Sequence, residues 1–157
     1  MTNIYEIYDL LDANNPHNIQ ENGIEEGLKI KCIDAFIQPM FKNYSKNIWE
    51  NCARIIEKKS DAELKPYLIM LCSWTQDLNW PGAYIILQRL KMFSASEIKI
   101  PLEECIKLAI KTSDNEWLDY LSGLLANEEI GSILDKDLYF HLKSRYIVFW
   151  GQKVDDE

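Results

Sequence analysis

At 157 residues, 47% of them hydrophobic and 27% charged, the chain has the length and composition of one soluble globular domain, which excludes mostly disordered and fibrous classes. Its 17 basic side chains stand against 25 acidic ones, for a net charge of −8. Such a surface repels phosphate backbones and anionic membranes over roughly a Debye length, so the expected partner is a basic protein, with no nucleic acid and no membrane.

Residues Met1 to Asp9 carry neither a basic start nor a long apolar core, and no apolar run approaches the ~20 residues of a membrane span. A cytoplasmic protein is expected. Ile4, Ile7, Tyr8 and Leu11 share one face of a first helix that Asn14-Asn15-Pro16 stops. His17 to Gly23 reads as a loop, and Leu28, Cys32, Ala35 and Phe36 as the face of a second helix ending before Pro39. Ile48, Trp49, Cys52, Ala53 and Ile56 mark a third helix. Ser60-Asp61-Ala62-Glu63 then fits a capping box, and Leu64, Tyr67, Leu68, Leu71 and Trp74 continue a fourth, loosened in its first turn by Pro66.

Trp74 to Ala83 reads as a helix-to-helix corner, with Pro81 in the first turn of a fifth helix whose inner face is Ala83, Ile86, Leu87 and Leu90. Ser94 to Ile100 is expected to be a connector, with Pro101 opening a sixth helix through Leu102, Cys105, Ile106 and Ala109. A second capping box, Ser113-Asp114-Asn115-Glu116, starts a seventh through Trp117, Leu121, Leu124 and Leu125. Asn127 to Gly131 breaks the pattern, and Leu134, Leu138, Leu142 and Tyr146 predict a last helix. Tyr146 to Trp150 has strand-like composition, but no second strand pattern pairs with it, so helix is preferred; Val154 to Glu157 reads as a frayed acidic tail. All four cysteines, Cys32, Cys52, Cys72 and Cys105, fall on apolar helical faces and read as small buried hydrophobes.

Residues 49–72 laid over 102–125 match at nine positions: Glu50/Glu103, Cys52/Cys105, Lys58/Lys111, Ser60/Ser113, Asp61/Asp114, Glu63/Glu116, Tyr67/Tyr120, Leu68/Leu121 and Leu71/Leu124. Composition alone would give roughly one or two. Adding the helix after each pair makes the repeat three helices long. The predicted fold is all-α, a HEAT/armadillo-like stack of about eight helices in one domain over 1–157, with N-terminal helices in 1–44 and repeat units at 45–93 and 101–150.

The W-x-Q-D-x-N-W-P-x-A run, here Trp74, Gln76, Asp77, Asn79, Trp80, Pro81 and Ala83, resembles the motif of a bacterial family of small HEAT-like helical domains of unknown function. Trp49, Cys52, Ser60, Asp61 and Leu64 resemble that family too. The resemblance implies an all-α fold without established catalytic residues, and some members look like immunity proteins that neutralise a neighbouring toxin.

From the residues themselves, Asp77 and Asn79 can accept from free N–H groups of the helix near Pro81, and Gln76 and the indoles of Trp74 or Trp80 can bond corner carbonyls. The functional reading makes Trp74, Gln76, Asp77, Asn79 and Trp80 part of a partner-binding face. His17 and His141 have no Cys or His at metal spacing, and adjacent carboxylates such as Glu103-Glu104 point apart on a helix, so no enzyme, cofactor or metal is expected. The expected function is a non-catalytic protein-binding module, an immunity-type inhibitor that occludes a basic toxin. The alternatives are a small-molecule-binding or enzymatic domain with a pocket near Trp74 and Trp80, and a structural adaptor.

Overall fold

The computed structural model describes residues 3–41 and 44–151, so the tail expected at 154–157 lies outside the described residues. The fold is all-α. Among the described residues ten α-helical segments run α1 Ile4–Leu10, α2 His17–Leu28, α3 Trp49–Glu57, α4 Asp61–Leu64, α5 Leu68–Trp74, α6 Ala83–Lys91, α7 Ala95–Lys111, α8 Asn115–Ser122, α9 Glu128–Ile133 and α10 Lys136–Arg145. Short 3-10 turns join several of them, and no β-strand occurs among the described residues beyond one isolated bridge between Phe41 and Tyr44. None of the helices described is long and apolar enough to cross a membrane.

Neighbours follow in series: α1 on α2, α2 on α3, α3 on α6, α6 on α5 and α5 on α7, which then meets α8 and α9, with α10 on α8. A single apolar core threads all of them, from Ile7 to Leu142. Buried polar side chains tie the first two helices to this series. Asn51 Nδ2 on α3 donates to Leu11 O at 2.8 Å and Gln20 Oε1 at 2.9 Å, and Lys59 Nζ donates to Leu28 O and Ile30 O at the C-terminal end of α2. The bonds to Leu11 O and Leu28 O occupy carbonyls that a helix end leaves unpaired.

The segment expected to be a loop, His17 to Gly23, is the first half of α2, while the helix expected through Cys32 and Phe36 is only a 3-10 turn, Ile33–Phe36. The α2 helix escaped a hydrophobic-pattern reading because glycine supplies its contact face. A Cβ at Gly23 would stand 2.8 Å from Leu10 Cβ, so absence of a side chain is what lets α1 approach. Cys32 consequently lies exposed, unlike the three other cysteines, which are buried.

Pro101 does not open a helix; α7 starts six residues earlier at Ala95, and the proline sits inside it. Its missing N–H leaves one carbonyl without an intrahelical donor, but Ile98, Leu102, Cys105 and Ile106 are buried in unbroken helical register across it, and this packing offsets the loss. Pro66 has the larger local effect: α4 yields to a 3-10 turn at Lys65–Tyr67 before α5 resumes, as a loosened first turn predicts. The break expected over Asn127 to Gly131 is confined to Asn127, which is extended and caps α9, and Glu128 to Gly131 are helical. Tyr146–Trp150 is helical, a π-turn continuing α10.

Candidate functional site

The corner begins where α5 ends. Thr75 is fully buried; its hydroxyl donates to Cys72 O at 2.6 Å and accepts from the Trp117 indole N–H at 3.3 Å. That indole also reaches Cys72 O at 3.2 Å. Trp117 therefore pins the start of α8 against the end of α5. Beyond Thr75, Asp77 Oδ1 accepts from Asn79 N at 2.8 Å, a local Asx-turn, and Trp80 N closes onto Asp77 O at 3.1 Å.

Pro81 lies in the turn, not in a first helical turn, because α6 starts only at Ala83 behind Gly82. Gly82 has φ +80°, and a Cβ there would come within 2.7 Å of Ala53 Cβ and 2.8 Å of Trp49 O. Both conformation and space demand glycine. With Gly82 as the residue before α6, no side chain caps that helix, so the capping role expected for Asp77 and Asn79 is replaced by the Asp77 turn.

Trp74 is fully buried, and its Nε1 donates to Pro81 O at 3.2 Å, so an indole does bond a corner carbonyl. Trp49 stands edge-on to Trp74 at 6.2 Å and to Trp80 at 6.1 Å, and donates its own N–H to Pro39 O at 3.0 Å. Lys46 Nζ covers the Trp49 and Trp80 rings at 5.8 and 5.9 Å. The corner is thus filled by three indoles. Of the five residues expected in a partner-binding face, Trp74 is interior; Gln76, Asp77 and Trp80 are half-buried, and Asn79 is exposed.

The pinning of α8 by Trp117 has an electrostatic result that the sequence pattern did not reveal. The phenol of Tyr120 is raised above its ordinary value by burial and by the negative charges of Glu116, Asp77, Asp119 and Asp114. Carboxylates of the corner and of α8 thus act on one phenol. Arg145 on α10 pairs with Asp119 at 2.9 Å and donates to Asn115 O and Oδ1. A periodicity search could find Tyr120 only as the partner of Tyr67.

Nucleophiles and metal ligands are not gathered at this end. His17 opens α2 with its side chain 81% exposed and its Nε2 3.7 Å from Glu21, while His141 is exposed on α10. Among the described residues no three His, Cys, Asp or Glu side chains are placed to hold a metal ion. The neighbouring Cys105 thiol and full burial hold the Cys72 thiol well above the ordinary value. A concavity of about 630 Å³ lies instead at the C-terminal end, beside Tyr139 and Tyr146, and no corner residue lines it.

No curated protein and no solved structure matches the chain. The family model described as "Domain of unknown function (DUF5071)" matches residues 46–143. That span starts at Lys46, whose ammonium covers the corner indoles, and contains the Trp74–Ala83 corner, its Trp49 wedge and the Trp117 pin. With well over half of its length matched, from the lysine over the corner almost to the end of α10, the chain belongs to the DUF5071 family.

Proposed function

We propose that the chain is a non-catalytic protein-binding module of the bacterial cytoplasm, an immunity-type inhibitor that covers a basic toxin domain. Its helices would form a HEAT- or armadillo-like stack with a three-helix repeat over 45–93 and 101–150. Support for the repeat comes from burial: eight of the nine matched pairs agree, the exception being exposed Glu50 against buried Glu103.

The observation that carries the inhibitor reading is that Asp77, Asp114, Glu116 and Asp119 all act on the Tyr120 phenol, on the helix that Trp117 pins to the end of α5, where the corner with half-buried Trp80 begins. Arg145 offsets Asp119, and Asp77, Asp114 and Glu116 have no ion-pair partner among the described residues. Such a face steers a lysine- or arginine-rich partner, and Trp80 and Tyr120 offer it aromatic anchors. Gln76 and Asn79 border the same surface as hydrogen-bonding groups.

Co-expression with the product of the neighbouring gene, followed by size exclusion and a survival assay, tests this reading. A co-eluting complex and rescue are expected, with affinity reduced roughly tenfold or more by Asp77→Lys with Glu116→Lys. No complex and no rescue with the unaltered chain would overturn it.

A further inference from the structure

The corner is closed by tryptophan, but the C-terminal end of the helical series carries a hollow. The concavity of about 630 Å³ is lined by Leu125, Leu134, Tyr139, Tyr146 and Ile147, with Lys136 and Lys143 among them. Lys136, Tyr139, Lys143 and Tyr146 recur at i, i+3, i+7 and i+10, so α10 and its continuation turn one face to the space. A hollow of this size, mostly apolar with a few charged groups, has the make-up of a small-molecule site.

Two features keep it open. Gly131 on α9 lines it, and a Cβ there would stand 3.3 Å from Tyr139 Cε2 and 3.5 Å from Leu125 Cδ2, so a larger side chain would enter the space. The helix also widens to a π-turn at Tyr146–Trp150, which carries two lining residues; such turns are rare and concentrate at functional sites. Ile147 on that turn is 60% exposed among the described residues, an apolar side chain at the rim of the hollow.

Charge selects the ligand. Lys136 and Lys143 have no ion-pair partner among the described residues, and Lys143 Nζ lies 5.9 Å from the Tyr139 ring centroid. Among the described residues of the lining, Glu128 is the one carboxylate against two ammonium groups. In a chain of net charge −8 this is a local reversal of sign. We propose that the hollow binds a small amphipathic anion, its aromatic or branched aliphatic body among Leu125, Leu134 and Tyr139 and its carboxylate, sulfonate or phosphate head at Lys136 and Lys143. No residue of the hollow belongs to the corner or to the carboxylates around Tyr120, so the inference stands independently of the protein-binding reading.

A pair of probes of nearly the same shape separates the apolar contribution from the charged one: anilinonaphthalene sulfonate, and phenylnaphthylamine, which lacks the sulfonate. Fluorescence titration of the full chain should show one saturable site for the sulfonate. The double variant Lys136→Gln with Lys143→Gln should weaken the sulfonate roughly tenfold and leave the neutral amine within about twofold. Gly131→Leu should abolish both, with circular dichroism confirming the helical fold. Should Gly131→Leu fail to fold, the two exposed lysines still decide the matter. Absence of saturable binding, or a sulfonate affinity indifferent to the lysine pair, would overturn the proposal; loss of both probes in Gly131→Leu with no lysine effect would overturn the anion assignment.

Discussion

The hairpin of α3 with α4 and α5, and the hairpin of α7 with α8, carry the same Ser-Asp-x-Glu sequence at their turns but cap their second helices differently. At the first turn, Ser60 Oγ accepts from Glu63 N at 3.2 Å, and Glu63 Oε2 accepts from Ser60 N at 2.9 Å, a complete capping box. At the second, Asp114 takes the role of cap, its Oδ1 accepting from Trp117 N at 3.1 Å. The cause lies upstream. The α7 helix runs to Lys111, one residue past the position matching the end of α3 at Glu57, and closes by a Schellman pattern in which Asp114 N bonds Ala109 O and Ser113 N bonds Ile110 O. Ser113 is thereby drawn into the left-handed region at φ 56° and cannot serve as an N-cap. Matched residues can occupy the same burial and still do different chemistry, because a one-residue change in where the preceding helix stops shifts every role in the turn.

The exits of the two hairpins differ more. Trp74 ends α5, and the position matching it, 53 residues on, is Asn127, whose Nδ2 donates to Lys91 O while its Oδ1 caps α9. One joint is filled by indoles and the other is held by an amide. Trp74→Ala should be the most damaging change at the first exit, about 3 to 5 kcal/mol in urea unfolding, because a fully buried indole is removed from a closed corner. Trp117→Ala should cost a similar amount, since it removes both a buried ring and the bonds that pin α8 to α5. If the second loss were under about 1 kcal/mol, the two hairpins would not be coupled through this indole.

Next in size, Gly82→Ala should cost roughly 3 kcal/mol, the sum of left-handed backbone strain and overpacking against Ala53 and Trp49. Trp80→Ala should fall lower, at about 2 kcal/mol, since the ring is only half-buried. A change below about 1 kcal/mol accompanied by lost partner binding would make Trp80 an interface residue, and a change near 4 kcal/mol would make it core.

The regular helices with apolar faces were legible because Ile48 to Ile56, Ala83 to Leu90 and Leu102 to Ala109 bury the residues their spacing selects. The α2 helix was not, since Gly23 and Gly27 present no apolar side chain, and neither was the start of α7, since proline at 101 looks like a beginning when local rules alone are applied. At the site, the corner itself could be read, as could a carbonyl-bonding indole. That Asp77 and the α8 carboxylates act on one phenol could not be read. It depends on Trp117 reaching back 45 residues to Cys72, a contact with no periodic signature.

The smallest effects discriminate most sharply between the two turns, because they should differ in sign at matched serines. Ser60→Ala removes the acceptor for Glu63 N and should cost about 1 kcal/mol. Ser113→Gly should instead stabilise the chain by roughly 1 kcal/mol, since glycine takes the left-handed position at the end of α7 without the strain of a Cβ, and Asp114 continues to cap α8. Paired thermal melts of the two variants measure the difference directly. Were Ser113→Gly to destabilise the chain as much as Ser60→Ala does, the serine would be acting as a cap in both turns, and the one-residue overrun of α7 would not govern the second hairpin.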